Sequence, residues 1–202
     1  MVKVCLFRKP VIKIMLFLML LAPAFSFGQG KPDEIKRSPD FWIGAGYAFY
    51  PGSSADVKLG LAGNNPLKSG FTAEFSAEKQ LNSFLYVGAG ASLFSYKDLN
   101  NPYIPVFADI RVIGAGTFKF YSFLDPGYGF YQNSYYYPLI DPAVKVRERG
   151  GFFIAYGVGV TYKKVYLQAK YNWLRFSNQS AATGKSSKGY GVAGISFGVR
   201  LR

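Results

Sequence analysis

Histidine is absent from the 202-residue sequence. Its absence removes Ser-His-Asp and Cys-His nucleophile systems, His-ligated zinc and an imidazole general base. Cysteine is almost absent too: Cys5 stands alone, so neither a disulfide framework nor a thiolate metal cluster can form. No cofactor and no metal are expected from such a side-chain inventory. Acids are scarce, 11 against 24 Lys and Arg, for a formal charge of +13. Charged residues make up only 17% of the chain, too few for a disordered polymer. No apolar run approaches the roughly 20 residues that a membrane-spanning helix needs. The longest, Ile14 to Phe25, has 12 residues, and no segment sustains a helical spacing of apolar positions.

What the chain does have is glycine (23), phenylalanine (19) and tyrosine (16). Its first 28 residues read as a secretory signal peptide. Lys3, Arg8, Lys9 and Lys13 precede the apolar run, and Ser26-Phe27-Gly28 offers small residues for cleavage. Cleavage after Gly28 would remove four cations and Cys5, leaving 20 cations against 11 acids. Residues 29–40 (QGKPDEIKRSPD) are polar, Pro-containing and charge-balanced, and read as a flexible periplasmic leader. Residues 41–202 show no second shift in composition and form one predicted domain.

Period-2 alternation runs through that domain. Phe71, Ala73, Phe75 and Ala77 oppose Thr72, Glu74, Ser76, Glu78 and Gln80. Val165, Leu167, Ala169, Tyr171 and Trp173 oppose Tyr166, Gln168, Lys170 and Asn172. Ile104 to Val112 and Ile195 to Leu201 alternate likewise. The pattern predicts eight strands, at about 41–50, 71–81, 84–95, 104–113, 118–130, 151–162, 165–176 and 189–201. Most have the 9–11 residues or more with which a tilted strand crosses a bilayer. Long connections (51–70, 96–103, 131–150, 177–188) alternate with tight ones (82–83, 114–117, 163–164). The predicted fold is therefore all-β, an eight-stranded antiparallel up-and-down transmembrane β-barrel with both termini at the short-turn, periplasmic end. A soluble calycin would need the opposite assignment of faces.

Parity along these strands assigns a lumen. The pairs Gly44/Gly46, Gly88/Gly90, Gly127/Gly129 and Gly157/Gly159 fall on the inward face, where they make room for Trp42, Tyr86, Phe107 and Tyr121. A dinucleotide-binding reading of these G-x-G pairs lacks the helix that should follow. Glu74, Glu78, Asp109, Arg111, Asp125, Lys170 and Arg200 also point inward by parity. A charge facing lipid costs about 2–4 kcal/mol at the midplane, so these seven predict a lumenal charge network that plugs the bore, or else a selective constriction. Acid–base catalysis by Glu74 and Glu78 lacks a nucleophile or substrate pocket. Phe41, Trp42, Tyr47, Phe49, Tyr50, Phe94, Tyr96, Tyr128, Phe130, Tyr131, Tyr171 and Trp173, near strand ends, are candidates for interfacial aromatic girdles. In the 131–150 segment, Tyr135, Tyr136 and Tyr137 accompany Lys145, Arg147 and Arg149 as a candidate partner-binding site. The cations are too dispersed for a nucleic-acid groove and suit anionic lipid and lipopolysaccharide instead.

The pieces FTAEFSAE (71–78), FLYVGAGASLFSY (84–96), IPVFADIRV (104–112) and FKFYSFLDPGYGF (118–130) resemble the small outer-membrane β-barrel domain of Gram-negative bacteria, of OmpA/OmpX-type architecture. The resemblance covers about residues 41–202. It implies residence in the outer membrane and insertion by the barrel assembly machinery. It departs at the C-terminus, where such barrels usually end in an aromatic residue and this chain ends Val199-Arg200-Leu201-Arg202. Enzymatic barrels of similar shape rely on a catalytic His that is missing here. The reading is a non-enzymatic surface barrel with a plugged polar lumen, acting in envelope integrity, adhesion or docking of a protein or surface ligand through its outer loops. A narrow porin is the alternative.

Overall fold

The computed structural model describes residues 38–49, 69–96, 99–136, 145–180 and 184–201. The signal peptide, most of the leader, Tyr50, Tyr137 and the 51–68 connection lie outside the described residues. The strands are β1 (Asp40–Phe49), β2 (Ser69–Gln80), β3 (Leu85–Tyr96), β4 (Ile104–Ile113), β5 (Phe118–Phe130), β6 (Gln132–Tyr136), β7 (Lys145–Tyr162), β8 (Val165–Ser180) and β9 (Gly184–Leu201). All pairings are antiparallel, and the ring β1-β2-β3-β4-β5-β7-β8-β9 closes where β9 returns to β1, Phe41 opposite Leu201. Eight strands thus make the barrel. The ninth, β6, continues β5 after Tyr131 and pairs with the far end of β7.

Closure leaves no strand edge within the barrel wall, so the ladders supply partners for most backbone groups there; β4 and β5 skip the rungs between Phe107↔Gly127 and Ile110↔Leu124, where Pro126 has no N–H to give. The short connections gather at one end with the start of β1 and the end of β9. Asn82 Oδ1 accepts from the backbone N–H groups of Phe84 (3.0 Å) and Leu85 (2.8 Å) to hold the β2–β3 turn. Lys163, with a φ of 54°, begins the two-residue β7–β8 turn.

The opposite end differs from the alternating long loops that composition suggests. Among the described residues, the 131–150 and 177–188 segments are largely strand. β6 and β7 form a hairpin that reaches Tyr136 and Lys145, and β8 and β9 pair out to Ser180 and Gly184. The Gly-, Ser- and Lys-rich stretch has low strand propensity, but propensity yields here to the ladder offered by the neighbouring strand. Asp40 likewise belongs to β1 rather than to the leader.

Burial is inverted relative to a soluble protein. Phe71 and Phe197 are 73% and 67% exposed on the outer wall, whereas Asp109 and Arg200 are 0% and 1% exposed within. Ile43, Val106, Ile110, Phe120, Leu124, Val158, Leu167 and Ile195 extend the apolar exterior around the ring. So continuous an apolar surface is a membrane-facing one. The protein is a transmembrane β-barrel.

Candidate functional site

The lumen is stratified into three layers. The first, at the short-turn end, is built on inward positions of β1, β3, β5 and β8: Trp42, Tyr86, Tyr121, Phe123 and Tyr166, with Ile113. Two guanidinium groups stack into it. Arg111 lies 3.9 Å from the centre of the Trp42 ring, and Arg200 lies 4.9 Å from both Trp42 and Tyr86. Arg200 also pairs with Asp40 across the β1–β9 seam. Cations held on aromatic faces keep favourable electrostatics where water is excluded.

The second layer is polar. Arg111 contacts Glu78 at 3.1 Å and Asp109 at 2.9 Å. Glu74 pairs with Lys170 and accepts hydrogen bonds from Tyr166 (2.9 Å), Gln168 (2.7 Å) and Ser196 (3.0 Å). Tyr121 donates to Gln168 (3.0 Å), which links the two groups. Asp125 is buried nearby and makes no ion pair among the described residues. The space enclosed by Trp42, Glu74, Asp109, Arg111, Asp125 and Gln168 is a cavity of about 10 Å³, room for about one water molecule.

The third layer, toward the extended end, is aromatic. Phe94, Tyr96, Tyr103, Phe107, Tyr131, Phe153, Leu174 and Phe176 fill the bore. Tyr103 centres it, 5.1 Å from Phe176 and 6.5 Å from Phe153, and its ring packs against Gly129, where any side chain would collide with it.

All seven charges assigned to the lumen by parity lie inside, divided between two clusters: Glu78, Asp109 and Arg111 in one, Glu74 and Lys170 in the other, with Asp125 between and Arg200 at the rim. Four supposed girdle residues do not face lipid. Trp42, Phe94, Tyr96 and Tyr131 are buried in the lumen, because each falls on the inward parity of its strand or link. Phe41, Tyr47, Phe49, Tyr128 and Phe130 do face outward, as do the half-buried Tyr171 and Trp173. Sequence reading placed Lys170 in the network with Glu74 but missed the Asp40–Arg200 pair and the uncharged partners of Glu74, Tyr166, Gln168 and Ser196. The signal was present: Asp40 continues the inward series of Trp42 and Gly44, and Tyr166, Gln168 and Lys170 alternate on one strand face.

Two solved structures are similar in fold. A major outer membrane protein from Thermus thermophilus aligns with TM-score 0.45 and 12% identity, covering 82% of this chain and 100% of that one. The Yersinia pestis outer membrane protein Ail aligns with TM-score 0.37 and 16% identity, covering 81% and 100%. No family model matches the sequence, and no curated protein matches it significantly.

The candidate docking residues do not sit in a loop. Tyr135 and Tyr136 belong to β6, and Lys145, Arg147 and Arg149 to β7, of the same hairpin. The faces of Arg147 and Arg149 depend on one irregularity. The pairing of β7 with β8 slips between Gly150 and Phe153. Below the slip, even-numbered β7 residues such as Phe152 and Val158 face outward. Above it, Arg149 pairs with outward Ser177 and Arg147 with outward Gln179. A β-bulge inserts one residue and so exchanges the two faces of the strand beyond it. Without the bulge, both arginines would point over the lumen and Glu148 would point out. Glu148 instead lies on the inner side, half-buried. Burial raises its carboxyl above the usual range, while the Lys188 cation and a hydrogen bond with Asn178 pull it back.

Proposed function

We propose that the protein is a non-enzymatic integral protein of the outer membrane, related to the OmpA/OmpX-type small barrels. Its closed barrel serves as a platform, and its strand extension is the docking surface for a partner at the cell surface. The observation that carries this reading is the three-layered filling of the lumen. A stack of paired charges between two aromatic layers leaves the barrel interior no path for a solute, so activity belongs to the exterior. The exported leader puts the chain ends in the periplasm and the extension outside. Insertion then falls to the barrel assembly machinery, and the apolar wall meets outer-membrane lipid.

The test is the purified protein reconstituted into planar bilayers. Absence of steady conductance, with heat-modifiable gel mobility and recovery in the outer-membrane fraction, is the expected result. Steady conductance of large-porin size, or recovery as a soluble periplasmic protein, overturns it. A small ion-selective conductance would establish the narrow-porin alternative.

A further inference from the structure

We infer that the outward face of the strand extension binds the phosphate groups of anionic glycolipid headgroups in the outer leaflet. The inference rests on the proposed orientation and names the partner class of the docking surface. On that face, the register brings Ser134, Arg147, Gln179 and Lys185 into one row across four strands. Gln132, Arg149, Ser177 and Ser187 form the next row. Arg175 lies below them and donates to Ser187 at 2.9 Å. Arg147, Arg149, Arg175 and Lys185 are all exposed, and no acid shares the face among the described residues. Glu148 is turned to the opposite side by the bulge. Guanidinium forks flanked by hydroxyl and amide donors are a phosphate-recognising set.

The direction of the face selects the occupant. Tyr171, Trp173, Arg175, Ser177 and Gln179 alternate along one side of β8, so the cationic rows continue the lipid-facing wall upward. Arg175 is two residues beyond Trp173, a rise of about 7 Å. Trp173 itself lies over Gly189 of β9, and Tyr171 over Gly191, an aromatic layer immediately beneath the cations. A face so placed looks sideways across the membrane surface, into the headgroup layer, rather than up toward a second cell or a soluble ligand. The bilayer's own phosphates are then its nearest anions, and in the outer leaflet these are carried by glycolipid.

The experiment uses the full-length mature protein in zwitterionic nanodiscs with bis-phosphorylated lipid A, its dephosphorylated form or phosphatidylglycerol added separately. Native mass spectrometry reads the lipid retained. Wild type should retain the phosphorylated glycolipid over both others. The R147Q/R149Q/R175Q/K185Q variant should lose that retention at least about tenfold, with its heat-modifiable mobility unchanged. The K163Q/K164Q variant, altered only at the opposite turn, should retain glycolipid like wild type. Equal retention by wild type and the quadruple variant overturns the site. Equal retention of phosphatidylglycerol overturns the assignment to glycolipid. Separately, Lys185→Cys on intact cells should react with a membrane-impermeant maleimide. Reaction only after lysis overturns the orientation, and with it the outer-leaflet source, whatever the nanodiscs show.

Discussion

Arg111 concentrates the energetic risk of the barrel in one side chain. It is 4% exposed, shares its charge between Glu78 and Asp109, and stacks on Trp42. Removing one member of a buried ionic group leaves the others charged and unpaired, which typically costs about 3–5 kcal/mol. Arg111→Ala should therefore lower stability by about that amount, measured as the urea midpoint for loss of the heat-resistant band in detergent. The triple variant E78Q/D109N/R111M, which removes the whole group, should recover most of the loss. If Arg111→Ala unfolds at the wild-type midpoint, the cluster is not coupled. The placement of these charges was legible in the sequence because a charged residue on a strand otherwise facing lipid has one place to go. The aromatics were less so. Phe94 and Tyr96 suit a girdle as well as a plug, and only their parity separates the two.

At the scale of elements, the bulge at Gly150–Phe153 decides what β7 presents outside. Deleting Gly151 should restore a continuous alternation, turning Arg147 and Arg149 inward and Glu148 outward. The barrel below should survive, with a loss of about 1–2 kcal/mol at most, because the wall register from Phe153 to Tyr162 is untouched. Single cysteines report the change: position 149 reacts faster with a bulky impermeant maleimide than position 148 in the parent, and the order reverses in the deletion. An unchanged order would mean that the slip is not set by that residue. Alternation made the strands of the wall readable to within a residue or two, as in β4, found at Ile104–Ile113 where the apolar pattern put it. The extension was hidden because Ser, Gly and Lys between 177 and 188 carry no facial pattern of their own. They are strand because β8 pairs with β9 over sixteen successive rungs from Val165↔Val199 to Ser180↔Gly184. The adjacent glycines Gly150 and Gly151, ahead of Phe152-Phe153, were the available hint of a break in alternation.

As a whole, the molecule is a cylinder sorted by depth: apolar outside, charges at mid-lumen, aromatic layers on either side of them, cations on the extension above the wall. The sorting needs the ring but not a particular starting point on it. β1 and β9 pair from Phe41↔Leu201 to Phe49↔Ala193, so the start of β1 and the end of β9 lie side by side at the end that carries the tight turns. Joining them with a few linking residues and reopening the chain between Lys163 and Lys164 gives a circular permutant that starts with β8 and ends with β7, every rung intact. Chain ends that lie close at a surface tolerate such rewiring. The permutant should refold in detergent micelles to a heat-resistant species within about 1–2 kcal/mol of the parent. On the proposed route through the barrel assembly machinery, it should accumulate less in the outer membrane in cells, because a different strand now stands last. Parental yield in vivo would show that delivery, like stability, is indifferent to where this ring is cut.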